Sequence, residues 1–228
     1  MTLHNNNTDE SRIDKENYPM GIPELDNEIL NGIPKGSMVA IIADARGMSQ
    51  LFNYHLVHTD RPTHYITTGR DGKQIKNDIK QIGTTPENLT IADTFTTSDT
   101  IKELLLTHSA RLKDGHNLIL DTATGYNINS KNQETYLQTL RNIQSNIHEK
   151  NAIGYLNYIT ENPENLTKTE KEALHMCDVI LHIKTTNNGD QLDTILEIHK
   201  IRGKDFTDEV INLNINKTLT IDNTREIA

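Results

Sequence analysis

The chain has 228 residues, of which 34 % are hydrophobic and 4 % aromatic, with no Trp and a formal charge of −9. That length suits one large domain, and a field of that sign repels phosphate backbones and anionic membranes, which argues against nucleic acid as a general partner. The single cysteine, Cys177, rules out an internal disulfide and fits a reducing, cytoplasmic setting.

Residues 1–19 are polar, without periodicity or a secretory apolar segment, and are expected to form a disordered tail ahead of one domain over residues 20–228. Met38-Val39-Ala40-Ile41-Ile42-Ala43 is a short apolar run of the kind that becomes a fully buried parallel strand. Leu51 to Val57 suits a helix, and His64 to Thr68 a second strand. Ile75, Ile79 and Ile82 mark one helical face that stops at Gly83. Leu89 to Ala92 reads as a brief strand, Ile101 to Leu112 as a helix, and Asn117 to Asp121 as a buried strand ending in a carboxylate. A long amphipathic helix over Tyr136 to Ile147 precedes a strand at Ile153 to Ile159. Glu170 to His175 reads as a short helix before a strand at Val179 to Ile183. The alternating stretches Asp193–His199, Val210–Ile215 and Thr218–Ile221 predict antiparallel strands at the C-terminal end. The fold class is therefore α/β: a mostly parallel central sheet with helices on both faces and a C-terminal antiparallel extension.

Gly21 to Asp26, Leu30 to Ser37, Leu118 to Thr122, Cys177 to Leu181 and Lys200 to Gly203 lie in an order and spacing that resemble the KaiC/RecA-like P-loop ATPases of the archaeal single-domain type. Gly21-Ile22-Pro23-Glu24-Leu25-Asp26 and Leu30-Asn31-Gly32-Ile33-Pro34-Lys35-Gly36-Ser37 are similar to that family's opening motif. Leu118-Ile119-Leu120-Asp121-Thr122 resembles its Walker B strand. Cys177-Asp178-Val179-Ile180-Leu181 and Lys200-Ile201-Arg202-Gly203 resemble two later elements. The resemblance covers residues 21 to about 221 and implies a RecA-like domain.

The phosphate loop departs from the pattern. G-x-x-x-x-G-K-[ST] turns backbone N–H groups around phosphates, sets a lysine on the β/γ oxygens and holds Mg²⁺ with a hydroxyl. Here the same positions read Asp44-Ala45-Arg46-Gly47-Met48-Ser49-Gln50-Leu51. A carboxylate replaces the first glycine, Ser49 the second, Gln50 the lysine, and Leu51 the hydroxyl. A single charge-assisted hydrogen bond to phosphate is worth ~1.5–3 kcal/mol, so these replacements together remove several such units of binding. The family's activating carboxylates after the second core strand are also replaced, by Thr67-Thr68-Gly69-Arg70, which leaves no general base. Asp121 remains as a Walker B-like residue, expected to be a strand-end carboxylate satisfied by backbone N–H groups.

Other candidates carry less. Gly69 to Gln74 reads as a strand-to-helix turn, because its glycines are too close for a phosphate loop. His55 and His58 lie one helical turn apart, but no nearby residue completes a metal set. By resemblance, Lys200 and Arg202 lie at a subunit boundary, and alternation puts both on one face of their strand. The loop Thr122 to Asn127 lacks the basic–aromatic interleaving of single-strand binders. The expectation is a non-catalytic paralogue without cofactor or metal, acting as a scaffold or regulatory subunit. Its partner would be itself or an active KaiC-like paralogue. The alternative is a nucleotide-sensing or slow ATPase that binds ATP/Mg²⁺ weakly, with Arg46 standing in for the lysine.

Overall fold

The opening segment folds around one carboxylate. Asp26 is 2 % exposed, and its two oxygens accept the backbone N–H groups of Met20 (2.7 Å), Gly21 (3.0 Å) and Ile22 (3.1 Å). This is the physical content of the opening motif: Gly21 takes φ 90°, a conformation that favours glycine, while Ile22, Leu25, Leu30 and Ile33 enter the core. The computed structural model describes residues 15–23, 25–44, 48–57, 61–83, 87–94, 100–130, 132–160, 162–188, 191–203, 210–215 and 219–221. Residues 1–14 of the expected tail lie outside them. Residues 15–19 do not behave as a tail: β1 (Asn17–Tyr18) pairs antiparallel with β2 (Ile33–Pro34), bracketing a π-helical turn at Leu25–Leu30. Tyr18 supplies the reason, because its ring lies under the cations of Lys35 and Arg61.

Strands and helices then alternate: β3 (Met38–Ala43), α1 (Met48–Leu56), β4 (Thr63–Thr67), α2 (Gly72–Gln81), β5 (Leu89–Asp93), α3 (Ile101–Ala110) and β6 (Asn117–Asp121). After β6 come α4 (Ala123–Asn129), α5 (Gln133–Glu149), β7 (Ile153–Ile159) and α6 (Lys168–Met176). The chain closes with β8 (Val179–Asn188), β9 (Gln191–Ile201), β10 (Val210–Ile215) and β11 (Leu219–Ile221). The helices start on side-chain caps. Asp71 caps α2, and Thr100 and Thr167 form capping boxes with Glu103 and Glu170 at α3 and α6.

One sheet holds nine strands in the order β11-β10-β9-β8-β3-β7-β6-β4-β5. The pairings of β3, β4, β5, β6, β7 and β8 are parallel, and β9, β10 and β11 add antiparallel. Burial explains which strands are central: every residue of β3 and β6 is buried, as a sheet covered on both faces demands. Phe52, Leu56, Ile75 and Ile79 of α1 and α2 cover one face together with the opening segment. Leu104, Leu105, Leu140, Ile143 and Ala173 of α3, α5 and α6 cover the other. Among the described residues, no helix is long and apolar enough to cross a membrane.

The chain departs from its sequence-based reading at residues 122–127. The stretch expected as a loop is α4, capped by the Thr122 side chain on Gly125 N–H. Only Ala123 and Tyr126 of this helix are buried, too little to leave an apolar period in the sequence.

Candidate functional site

The carboxyl ends of the parallel strands line up on one edge of the sheet. There β7 lies between β3 and β6, and the chain then crosses to the far side of β3 to form β8. That is the crevice where open α/β sheets place ligands. Five stations face it: Asp44 after β3, Thr67 and Thr68 at the end of β4, Asp93 on β5, Asp121 on β6 and Thr160 after β7.

The stretch of residues 44–51, read in the sequence as an altered phosphate loop, begins at the first station. Asp44, only 7 % exposed, turns its carboxylate toward β8, where Oδ2 accepts Thr185 N–H at 3.2 Å. Residues 45–47, Arg46 among them, lie outside the described residues. Met48 and Ser49 open α1, and Gln50 and Leu51 follow half-buried in its first turns.

Gln50 is engaged by a residue that the sequence placed elsewhere. Arg70, in the turn between β4 and α2, donates from Nη1 to Gln50 Oε1 (3.4 Å) and to the Tyr54 hydroxyl (2.5 Å). Its Nη2 pairs with Asp78 Oδ2 at 2.5 Å, and the Tyr54 hydroxyl also donates to that oxygen at 3.3 Å. Burial alone would lower the Arg70 pKa; its bonds to Asp78 and Tyr54 outweigh this and hold it above the ordinary value. Burial pushes the Tyr54 phenol up to about 12, against the pull of Arg70. At ordinary pH Arg70 is therefore a cation and Tyr54 a neutral phenol.

Asp121 forms the second half of the site. It is 5 % exposed, and where backbone N–H groups were expected its Oδ2 accepts the Tyr65 hydroxyl at 2.6 Å. Burial raises its pKa; the Tyr65 bond and the charge of Arg70 oppose this without cancelling it. Asn157 of β7, 1 % exposed, reaches the same carboxyl and also opposes the rise. The peptide bond between Asp121 and Thr122 is cis.

A cleft of about 690 Å³ opens beside this edge, with Thr68, Thr100, Tyr126, Ser130 and Thr135 in its wall. Gly125 lets α4 approach Thr68 there: a Cβ at Gly125 would lie 2.4 Å from Thr68 Oγ1.

Lys200 lies in β9 and Arg202 just beyond its end. Lys200 Nζ donates to the Cys177 carbonyl (2.6 Å) and the His175 carbonyl (3.4 Å). Arg202 pairs through Nε with Asp178 Oδ1 (3.2 Å) and reaches the His175 carbonyl at 3.5 Å. Both cations thus meet the carbonyl end of α6, where a helix carries partial negative charge. His55 is buried within α1, and His58 lies outside the described residues.

Against a nucleoside triphosphate with Mg²⁺, the described positions offer little. Asp44 supplies negative charge, Gln50 no charge, and Leu51 no metal ligand, while the nearby cation, Arg70, is paired with Asp78. Sequence reasoning identified Asp44, Gln50, Leu51 and Asp121 but missed Tyr54, Tyr65, Asp78 and Asn157. Only Arg70 had a signal, as the residue standing where the family has an activating carboxylate.

A family of unknown function, DUF7125, matches residues 17–228. The fold is similar to that of the KaiC-like protein PH0186 from the hyperthermophilic archaeon Pyrococcus horikoshii OT3, with a TM-score of 0.74. The two chains are 15 % identical, and the match covers 90 % of this chain and 98 % of the other. No curated protein matches the sequence. Since 772 solved chains match the structure, the KaiC/RecA-like architecture does not by itself select an activity.

Proposed function

The chain belongs to the DUF7125 family, and on that premise we propose that it is a non-catalytic KaiC/RecA-like paralogue of archaeal type, a pseudo-ATPase with a degenerate Walker A motif. It acts as a cytoplasmic scaffold or regulatory subunit through protein–protein contacts, with itself or with an active KaiC-like paralogue. The observation that carries this reading is the Arg70–Asp78 pair with Gln50 bonded to it. Beside the carboxyl ends of the parallel strands Gln50, Tyr54, Arg70 and Asp78 bond one another. A phosphate arriving there would meet the Asp44 carboxylate and would have to compete with Asp78 for the guanidinium. Lysine and metal contacts worth ~1.5–3 kcal/mol each have no replacement among the described side chains. Among the described residues no base stands ready to activate water, because Thr67-Thr68-Gly69-Arg70 stand where the resembled family keeps its carboxylates and Asp121 is held by Tyr65.

The alternative reading is a nucleotide sensor or slow ATPase, and the cleft of about 690 Å³ beside the carboxyl ends of the strands favours it. The test is calorimetric titration of the full chain with ATP and ADP, with and without Mg²⁺, alongside Gln50→Lys/Leu51→Thr. The scaffold reading expects no heat and no thermal stabilisation at millimolar nucleotide from the unaltered chain. Micromolar, Mg²⁺-dependent binding by that chain would overturn it in favour of the sensor.

A further inference from the structure

The C-terminal hairpin holds a cluster that the candidate site does not use. His182 of β8 stands directly opposite Glu197 of β9, and His199 follows two residues later on the same strand. Beyond Glu197 the ladder slips: Leu181 pairs with Ile198 but Ile180 with Lys200. His199 is therefore the extra residue of a β-bulge, a device that re-aims a side chain. Leu181, Ile183, Leu196 and Ile198 alternate with these residues and enter the core against α1 and α2, so the three polar side chains share the opposite face.

Their geometry converges on one carboxylate oxygen. Glu197 Oε2 is 3.5 Å from His182 Nδ1 and 3.1 Å from His199 Nε2, and one ligand atom from each of the three lies within 4.8 Å of the others. Ligands about 2.0–2.1 Å from a tetrahedral ion are separated by about 3.3 Å, so both spacings are those of a coordination edge. The two rings meet nearly perpendicular, at 83°. Lys184 pairs with the other oxygen, Oε1, which keeps Glu197 ionised and leaves Oε2 toward the imidazoles. The decisive feature is His182: the residue is 4 % exposed, and its buried Nδ1 faces Glu197 Oε2 at 3.5 Å, longer than an ordinary hydrogen bond and close to a coordination edge.

We propose that His182, Glu197 and His199 form a binding site for a divalent transition ion of zinc type, clamping β8 to β9 across the bulge. Two imidazoles and one carboxylate select such an ion over Mg²⁺ or Ca²⁺, which take oxygen ligands. Three protein ligands leave a coordination position for water. His199 is the most exposed of the three and lies on the open side of the site.

The test is Zn²⁺ titration of the full chain, by calorimetry and by competition with a chromophoric chelator, repeated with Co²⁺ for its tetrahedral absorption. One ion per chain is expected. His199→Ala and Glu197→Gln should each weaken binding about tenfold or more and remove the Co²⁺ band, while His116→Ala, outside the site, leaves both unchanged. These two substitutions fall on partly exposed side chains, so they decide the matter even if His182→Asn fails to fold. Absence of saturable binding would overturn the proposal. So would undiminished affinity in His199→Ala, or displacement of Zn²⁺ by equimolar Mg²⁺.

Discussion

Arg70 and Gln50 meet at 3.4 Å across the gap between the β4–α2 turn and the first turn of α1, with the guanidinium anchored on Asp78 at 2.5 Å. The contact joins the β4–α2 turn to α1 beside the carboxyl ends of the parallel strands. It also makes Arg70 the hub of a partly buried network. Arg70→Ala is expected to lower stability by about 1–2 kcal/mol, discounted for side chains 26 % and 35 % exposed. Arg70→Lys should recover less than half of this, because an ammonium cannot serve Gln50, Tyr54 and Asp78 in one planar fork. Urea unfolding of the three proteins measures both effects, and equal midpoints for all three would show the network to be energetically silent.

Asp121 gives an opposite expectation. Its folded-state pKa is raised, chiefly by burial, so ionising it inside the protein is disfavoured. Its contribution is therefore fullest below the unfolded value of about 3.9 and is lost as pH rises through the folded pKa. Asp121→Asn keeps an acceptor for Tyr65 and removes the buried charge. At pH 7 it should match or exceed the unaltered protein, by up to about 1 kcal/mol, and the gain should vanish near pH 4. Millimolar Mg²⁺ should leave both unfolding curves in place. Stabilisation of the Asp121 form alone would show a working metal ligand.

The sequence carried the architecture well because each parallel core strand is an apolar run bounded by turn residues. Met38–Ala43, Asn117–Asp121 and Ile153–Ile159 have the same limits in the chain as in the fold. Asp44, Gln50 and Leu51 were legible for a different reason: a fixed motif makes departures visible position by position. The partners were not legible. Tyr54 looks like any apolar residue of α1, and Asp78 like one charge on a solvated face. They meet Arg70 only because α1 and α2 pack on the same side of the sheet. The His182–Glu197–His199 cluster was hidden for a similar reason, since it exists only in the register of β8 against β9 and its bulge.

Three histidines at the other end of the sheet should govern acid stability. His64 Nδ1 lies 3.0 Å from His108 Nδ1, and the His116 ring stacks on His64 at 5.7 Å. Burial lowers the His64 pKa to about 4, helped by His108, His116 and Arg111. Burial likewise lowers His108, with Arg111 adding to it, and His116, with Lys113 adding to it. The unfolded chain therefore takes up protons first, below about 6.5. Stability should be intact above that pH and fall until pH 4. His64→Phe should remove about 1 kcal/mol of the fall, an amount that allows for screening of a half-exposed ring. Thermal midpoints between pH 7 and 4 measure it; parallel curves for the two proteins would place the acid sensitivity elsewhere.

Lys200 and Arg202 separate a structural role from an assembly role. Within the chain they satisfy the last carbonyls of α6 and the Asp178 carboxylate, whose other oxygen accepts Met38 N–H at 3.0 Å where β3 begins. Arg202 is more than half exposed on its side chain, so each intramolecular contact is worth only about 0.5 kcal/mol. Lys200→Ala/Arg202→Ala should therefore cost about 1 kcal/mol in urea and leave the fold intact. If the two cations also meet carboxylates of a neighbouring subunit, the same double variant should shift sedimentation toward the smaller species by far more than that loss explains. The shift should be reproduced in the unaltered protein by raising salt, because exposed ion pairs are screened within about 10 Å at 0.1 M. Unchanged sedimentation together with the small stability loss would confine both residues to capping α6 and would move the search for a docking surface to another face of the sheet.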